Sequence, residues 1–512
     1  MGGGYSDTVK TKFAVGYVLF CLMANGAQAQ STNAAGTLVL SLEHCLELAL
    51  GGNLSLALGR QEPQRRGEDF YIAGETFAPT VFADAEYNNR ESRTENSQQG
   101  AEILEQKSGM LNVGLRKTWT LGTRADLAWA SARREDNSEF RLLNPSFSAH
   151  PTLQLTQPLL RGFGLAVNRA ELDRALLDKD VADSDFAILL ESELLATYRA
   201  YWELVRAAAH LTLEETSLRL AADQVDIVSN RLDVGAAAPL DLTSAEVALA
   251  RQREAVIGAA NGYRKAGDAL LFRIRPSGRL EDYDLAIIPS TEATAPDATQ
   301  AVPSLRDSVD VSLGQRPELH RGDQRVARAD IDVAGARNGR QPDLSVFGRY
   351  GYDGLADDYG DAVNEVSDRT YPEWTAGLSL EFLFDNESRR ARWRQAVLGK
   401  ESAELERQQA LAEIVLEVRA ATFDLEAAFQ TVVATQRTHE LARAQYEGEL
   451  ERLRVGSSTV FQVDTFRRDQ LAADRNQLDA RINTFVARAV LEVARGEFAR
   501  NILGAVQGAG GE

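Results

Sequence analysis

One phrase occurs twice in this chain. Arg231-Leu-Asp-Val-Gly235-Ala-Ala-Ala-Pro-Leu-Asp241-Leu returns as Arg452-Leu-Arg-Val-Gly456-Ser-Ser-Thr-Val-Phe-Gln462-Val, every matched pair standing 221 positions apart. In both copies a long heptad-patterned stretch runs into Val-Gly, is broken by small residues, and resumes as a second amphipathic stretch. Glycine enters the left-handed conformation that ends a helix without a Cβ penalty, so each copy predicts a tight helical hairpin with its turn at the glycine. The openings of the two halves match as well. Leu42-Glu-His-Cys-Leu46-Glu-Leu48-Ala-Leu50-Gly-Gly-Asn53-Leu-Ser-Leu56 corresponds to Leu305-Arg-Asp-Ser-Val309-Asp-Val311-Ser-Leu313-Gly-Gln-Arg316-Pro-Glu-Leu319 at an offset of 263, so the first half holds 42 more residues (263 against 221) between opening and hairpin. Such duplication favours two copies of one unit sharing a core over unrelated domains.

The helices leading into the hairpins are long. From about 166 to 233, Leu194, Thr197, Tyr201, Leu204, Ala208, Leu211, Leu218, Ala222, Val225, Ser229 and Leu232 form a heptad seam with one charged interruption at Glu215. At a rise of ~1.5 Å per residue this helix is ~100 Å long. A second apolar line (Leu195, Tyr198, Trp202, Val205, Ala209) lies beside the first, so the helix packs on two sides, as helices in a closed cylinder do. The return helix covers 240–273. The second half repeats the scheme with helices over 387–455, where Ile414, Val418, Ala421, Leu425, Ala428 and Val432 keep heptad steps, and over 460–500. Opening helices are expected over 41–73, with Ser41 as N-cap, and over 304–339.

Between opening and long helix the period changes to two. Residues 79–91, 110–120, 123–133 and 150–160 alternate in the first half, and 343–353 and 374–384 in the second. Each run is close to the ~9–11 residues that cross a bilayer as a tilted strand. Long polar connectors (92–109, 134–149) alternate with the tight Leu121-Gly122 turn, which is the habit of outer-membrane barrels; a soluble sheet edge gives the same alternation. Gln157-Pro-Leu-Leu-Arg-Gly162-Phe-Gly164 then redirects strand into helix, Pro158 being unable to donate to a ladder. The matching turn in the second half is at Asp385-Asn386. The polar stretch 354–371, with Asp353 just before it and Asp357, Asp358, Asp361, Glu365 and Asp368 within it, reads as a solvated loop ahead of a divalent-cation site, because the spacing fits no calcium-loop pattern. Residues 276–303 read as a surface linker.

Lys10 and Lys12, the apolar run Phe13–Met23 and Ala27-Gln-Ala29 predict a secretory signal over 1–29. Cys21 would leave with it, so Cys45 remains the single thiol and no intramolecular disulfide forms. The net charge of −19 repels nucleic acid. No later stretch of ~20 apolar residues occurs, so no transmembrane helix is expected. The five histidines are dispersed, and phosphate loops, nucleophile elbows and Cys-x-x-Cys are missing; neither an enzyme, a metal nor a cofactor is expected. The Gly-rich end, 504–512, reads as a flexible tail.

The duplicated openings, strand-to-helix turns and Val-Gly hairpins, in this order, resemble the TolC family of outer-membrane efflux channels. The resemblance spans 30–275 and 304–503. It implies a mixed α and β fold: antiparallel transmembrane β-barrel strands continuous with long coiled-coil helices that form an α-helical barrel, built from two internal repeats and closed as a homotrimer in outer-membrane lipid. It also implies a periplasmic adaptor protein and, through it, an inner-membrane pump. Arg231, Val234, Gly235, Arg452, Val455 and Gly456 would then lie at the periplasmic tip that meets the adaptor. In well-known members aspartates six and nine residues after the second hairpin glycine narrow the tunnel; Gln462 and Thr465 occupy those positions here, with Asp464 between them. Asp241, six after Gly235, matches an acidic gating position. Pro158, Gly162, Gly164, Asp385 and Asn386 make the strand-to-helix turns. The family barrel has four strands per subunit and six are read here, which leaves eighteen in a trimer, or a surplus pair folded back outside the wall. The expected function is passive exit of substrates, with small-molecule efflux ahead of protein secretion. A secreted coiled-coil structural or adhesive protein is the reading from another class.

Overall fold

The computed structural model describes residues 37–93, 101–139, 141–235, 237–291 and 302–509. The expected signal segment, 1–29, and the last three residues of the expected tail lie outside them.

The chain enters on a short strand, β1 (Thr37–Leu40), and Ser41 caps helix α1 (Leu42–Gly52), its hydroxyl accepting the His44 N–H at 3.2 Å. The expected single helix over 41–73 breaks at Asn53. There the backbone is extended (φ −70°, ψ 121°) and the side chain accepts the Leu56 N–H at 3.1 Å, capping a new helix, α2 (Leu54–Gly74). Four strands follow: β2 (Thr80–Arg93), β3 (Ile103–Thr118), β4 (Arg124–Asp136) and β5 (Ser146–Pro158). One turn of helix, α3 (Leu165–Asn168), leads into α4 (Ala170–Asp233), whose 64 residues extend about 96 Å. Helix α5 (Pro239–Ile274) runs back.

The stretch 276–303 is more than a surface linker. It carries β6 (Ala286–Pro289), which pairs in parallel with β1 and buries Ile287. Four apolar residues amid polar ones are too short for a periodicity to show, and the pairing exists only because the far end of the chain supplies β1.

The second half opens with α6 (Leu305–Gln315) and α7 (Pro317–Gly339). The helix expected over 304–339 breaks at Arg316 with the angles found at Asn53 (φ −68°, ψ 122°), and Pro317 starts the new helix where its missing N–H is not needed. Strands β7 (Asp343–Tyr352) and β8 (Gly354–Ala356), helix α8 (Tyr359–Ser367) and strand β9 (Pro372–Glu381) follow, then α9 (Glu387–Arg454) and α10 (Val460–Ala494). The acidic stretch 354–371 is therefore not a solvated loop. Asp358 caps α8 by accepting the Gly360 N–H at 2.7 Å, and Ala362 and Val366 are buried among Ala149, Phe147 and Trp129. The helix expected to reach 500 stops at Ala494, where Gly496 turns at φ +74°; an added Cβ there would meet the Gln315 backbone at 3.2 Å. Helix α11 (Phe498–Ala509) takes up most of the expected tail.

One antiparallel ladder runs β2-β3-β4-β5-β7-β9, with β8 on β5. Much of the expected 92–109 loop is strand, β2 and β3 staying paired from Thr80↔Arg116 to Arg93↔Ile103. The polar ends of these strands lack alternation, but backbone pairing carries the ribbon on.

The core lies at mid-height of the long helices. Trp202 stacks on Phe485 at 4.6 Å, Tyr198 meets Phe498 edge-on at 5.6 Å, and the Tyr201 hydroxyl donates to Leu40 O (3.2 Å) and bonds the Thr291 hydroxyl (2.8 Å). A second cluster joins Leu319, Ile414, Val418, Ala421 and Leu425 to Leu491 and Ala494. The expected seam is buried at Leu194, Thr197, Tyr201 and Leu204, then moves by one residue to Glu214, Ser217, Ala221 and Val228. Glu214 rather than Glu215 is the charged interruption, buried because Gln252 and Arg475 both bond to it.

Candidate functional site

The two faces of the six-strand ladder are chemically distinct. Cross-strand register places Val81, Leu115, Leu127, Leu153, Tyr350 and Trp374 on one face, each paired with the next in adjoining strands, together with Ala83, Ala85, Tyr87, Leu111, Val113, Trp129, Leu155, Val346, Leu378 and Leu380. The other face carries a polar row, Arg116, Asp126, Gln154, Arg349 and Thr375, again in direct register. Within this row Arg116 pairs with Asp126 at 2.5 Å and Arg349 donates to Gln154 at 2.8 Å. Side chains alternate between faces along a strand, so this division is written into all six strands at once. Among the described residues only α8 packs on the apolar face, against Phe147, Ala149 and Trp129 near the end remote from the helices. A sheet edge buried in a soluble core would have its apolar face covered; this one offers Val81 (73% exposed), Trp374 (74%) and Leu378 (71%) to the surroundings.

The strand-to-helix turns of the two halves grip one another. Pro158 ends β5, and Gly162 (φ +80°) and Gly164 (φ +104°) redirect the chain. Asn168 donates to the carbonyls of Gly162 (2.8 Å) and Gly164 (2.9 Å), while Asn338, from α7, accepts the Gly162 N–H at 2.9 Å and donates to Leu160 O at 3.2 Å. Asp385 accepts the Glu387 N–H at 3.1 Å to start α9, and Asn386 donates to Arg340 O at 3.1 Å. The β3–β4 turn tucks under this knot: Gly164 N–H donates to Leu121 O at 3.3 Å, and Gly122 (φ +91°) is so close that a Cβ would stand 2.4 Å from Gly162 O. Asn168 and Asn338 were not singled out from the sequence. Asn338 follows no capping pattern, and its partners lie 176 and 178 residues away.

At the opposite end the hairpins turn alike. Gly235 (φ +75°) and Gly456 (φ +78°) follow Val234 (φ −91°, ψ 7°) and Val455 (φ −89°, ψ 7°), and each glycine N–H donates back to Leu232 or Leu453. The two hairpins lie side by side, with Val228, Ala245 and Val460 buried in one cluster. Val234 and Val455 point into solvent at 78% and 79% exposure; Arg452 is exposed and Arg231 half-buried.

The four gating candidates are engaged in different ways. Asp241 accepts the Ala238 N–H at 3.0 Å, a helix-start role. Gln462 closes a capping box with Thr459, and Thr465 donates to Phe461 O at 2.9 Å. Asp464 pairs along its own helix with Arg467 at 2.7 Å, and Arg467 in turn reaches α4, donating to the Ser217 hydroxyl (2.6 Å) and carbonyl (3.3 Å). Three further links tie α10 to α4 above this one, namely Arg475 with Glu214, Asp479 with His210 and Arg206, and Asn483 with Arg206. Sequence reading missed them because the partners are some 260–280 residues apart.

Cys45 is fully buried and its thiol is pushed up to about 12 by burial, an unreactive position. Among the described residues no group of His, Cys, Asp and Glu is arranged to hold a metal ion, and no helix is long and apolar enough to cross a membrane. The acidic residues of 353–368 have separate uses, Asp353 pairing with His150 at 3.1 Å and Glu365 accepting the Leu355 N–H at 2.9 Å.

A family model described as outer membrane efflux protein matches residues 309–497. Outer membrane protein TolC of Vibrio cholerae serotype O1 is 23% identical over 330 residues, which cover 64% of this chain and 72% of that protein. Among solved structures, the outer-membrane channel OprN superposes with a TM-score of 0.64 at 18% identity, over 89% of this chain and 90% of its own. The outer membrane protein VceC of Vibrio cholerae superposes with a TM-score of 0.63 at 16% identity, over 89% and 96%. The likeness to these two structures is one of fold.

Proposed function

We propose that the chain is a subunit of an outer-membrane efflux channel, of the family whose model matches its residues 309–497, and that three copies close into one passive duct. Its barrel lies in the membrane, its helical tunnel crosses the periplasm, and its cargo is small molecules delivered by an inner-membrane pump through a periplasmic adaptor. The observation that carries this reading is the single ladder whose apolar face suits lipid and whose polar face suits a water-filled lumen, joined directly to helices about 100 Å long. The duct does no chemistry, and its work is to span.

In this reading the exposed Val234 and Val455, with Arg231 and Arg452 beside them, present two equivalent apolar tips per subunit to the adaptor. Gly235 and Gly456 keep those tips tight. The link from Asp464 through Arg467 to Ser217 holds the second hairpin against the first, and opening the tip requires it to break. Asp241, Gln462 and Thr465 serve the starts of the return helices.

The test is electron cryo-microscopy of the detergent-extracted protein together with planar-bilayer conductance. A three-fold ring with single-channel currents, enlarged in Arg467→Ala, is the expected result. A soluble monomer or rod, or an assembly that passes no current in either form, overturns the duct.

A further inference from the structure

We propose that the two edge strands of the ladder are completed by neighbouring copies of this chain, β2 of one subunit pairing antiparallel with β9 of the next. The membrane wall is then a closed ladder of six strands per subunit, eighteen in the three-copy duct. The proposal rests on that duct and adds which strands form its seams and how wide its barrel is.

Direction is the first support. β2 leaves the helices and β9 returns to them, and every pairing between is antiparallel. Setting β9 of one copy beside β2 of another continues the same alternation without a parallel step.

Occupancy is the second. β4 is paired on both sides from Arg124 to Arg134, with β3 from Gln106↔Asp136 to Thr118↔Arg124 and with β5 from Arg124↔Thr156 to Arg134↔Ser146. A narrower wall of four strands per subunit would need β9 of a neighbour to take the edge of β4 that β3 already holds. Along the path β2-β3-β4-β5-β7-β9, the end strands β2 and β9 each have one side unpaired among the described residues, and hydrocarbon cannot satisfy a row of open N–H and C=O groups.

Polarity is the third. Val81, Ala83, Ala85 and Tyr87 of β2 continue the apolar face of Leu380, Leu378, Ala376 and Trp374 of β9, while Asp84 and Glu86 lie on the polar side. A hairpin folded behind the wall would have its polar side facing apolar wall or lipid.

Stagger is the fourth. Following the register straight across from Thr80 leads through Arg116, Asp126, Gln154 and Arg349 to Thr375, six residues short of the helix-side end of β9 at Glu381. With ~3.3 Å per residue and ~4.8 Å between strands, six residues over six strands is a tilt of about 35°, within the range that closed barrels use. Levelling the helix-side ends sets Thr80 opposite Glu381, Ala85 opposite Ala376 and Tyr87 opposite Trp374, with like faces together. Eighteen strands at this tilt enclose a barrel about 34 Å across at the backbone, a width at which barrels hold an aqueous channel. The barrel is then not the narrowest part of the duct.

Disulfide trapping in outer membranes tests the seam, since buried Cys45 does not compete. Ala85→Cys with Ala376→Cys, or with Leu378→Cys for a register two residues away, should give a reducible covalent trimer. Leu127→Cys with Leu378→Cys, the pair that the same levelling sets opposite one another in a wall closed at β4, should not. Cross-linking through Leu127→Cys and not through Ala85→Cys overturns the eighteen-strand wall and leaves the duct standing; the lack of any membrane trimer overturns both. Should the cysteine variants fail to assemble, counting strands in the wild-type particle decides the matter, eighteen supporting the seam and twelve refuting it.

Discussion

Replacing Ala83 by arginine asks two things at once: which face of the ladder meets lipid, and whether β2 belongs to the membrane wall. Ala83 is exposed, sits within the apolar run from Val81 to Tyr87, and pairs with Val113, which pairs with Trp129. An arginine on the lipid face costs about 2–4 kcal/mol at the bilayer midplane and less toward the interfaces. One residue from the middle of its run, Ala83→Arg should cost about 2 kcal/mol per subunit, and about 6 kcal/mol for three copies assembling together. The matched control is Ala130→Arg, on the polar face of β4 in register with Asn112 and His150, where an arginine stays in water. The assay is the fraction of protein recovered from outer membranes as an unboiled, gel-stable oligomer, followed by conductance of what is recovered. Ala83→Arg should abolish or nearly abolish the oligomer, and Ala130→Arg should assemble normally with altered ion selectivity. Normal assembly of Ala83→Arg beside failure of Ala130→Arg would invert the assignment of faces. Normal assembly of both would remove β2 from lipid altogether.

The remaining predictions concern the periplasmic parts and the knot between helix and strand. Gly122→Ala combines a positive φ with a Cβ 2.4 Å from a carbonyl oxygen and should lower the thermal transition of the detergent-solubilised oligomer by considerably more than Gly164→Ala, which has open space and bears only the conformational cost of about 1–2 kcal/mol. Burial pushes the Glu191 carboxyl up from 4.5 to about 7, with Arg316 opposing and Glu318 and Glu417 adding to the rise. The folded chain thus keeps a proton that the unfolded chain releases, and stability falls as pH rises from about 4.5 to about 7. Glu191→Gln should flatten that slope and raise stability at pH 8 by up to about 3 kcal/mol per subunit, read from melting between pH 5 and 8; an unchanged slope refutes the assignment. Arg475→Met removes the cationic partner of the buried Glu214 carboxylate, leaving it only Gln252, and should cost about 3–5 kcal/mol, most of it recovered in the double variant with Glu214→Gln, as a melting series would measure.

The parts of this protein that its residues announce are those whose signal is local and repeated. The Val-Gly phrases fix two hairpins because glycine is favoured at the left-handed position ending each long helix, and the observed angles at Gly235 and Gly456 agree within a few degrees. Period-two alternation marks all six strands because each must show one face to one medium. The helix breaks at Asn53 and Arg316 were not recognised, since an extended residue between two helical stretches leaves the heptad pattern intact on either side. The β1–β6 pair, helix α8 and helix α11 were missed for a related reason: each is short, and its stability comes from Tyr201, from Ala149 and Trp129, or from Tyr198, all distant in sequence.

The candidate site divides along the same line. The hairpin glycines and the glycines of the strand-to-helix turn could be named in advance because their places depend on backbone conformation. The links from α10 to α4 and the asparagine knot could not, because hydrogen bonds between residues some 170–280 positions apart leave no spacing to read. By itself the sequence determined the duplication, the hairpins, the alternation that marks the six strands of the ladder and its two faces, all consequences of chain periodicity and of glycine's backbone freedom. Only the tertiary structure decided that the six strands form one ladder with two free edges, that the halves are knotted through Asn168 and Asn338, and which charges are buried in pairs. Those depend on which distant segments meet, and no local pattern carries that information.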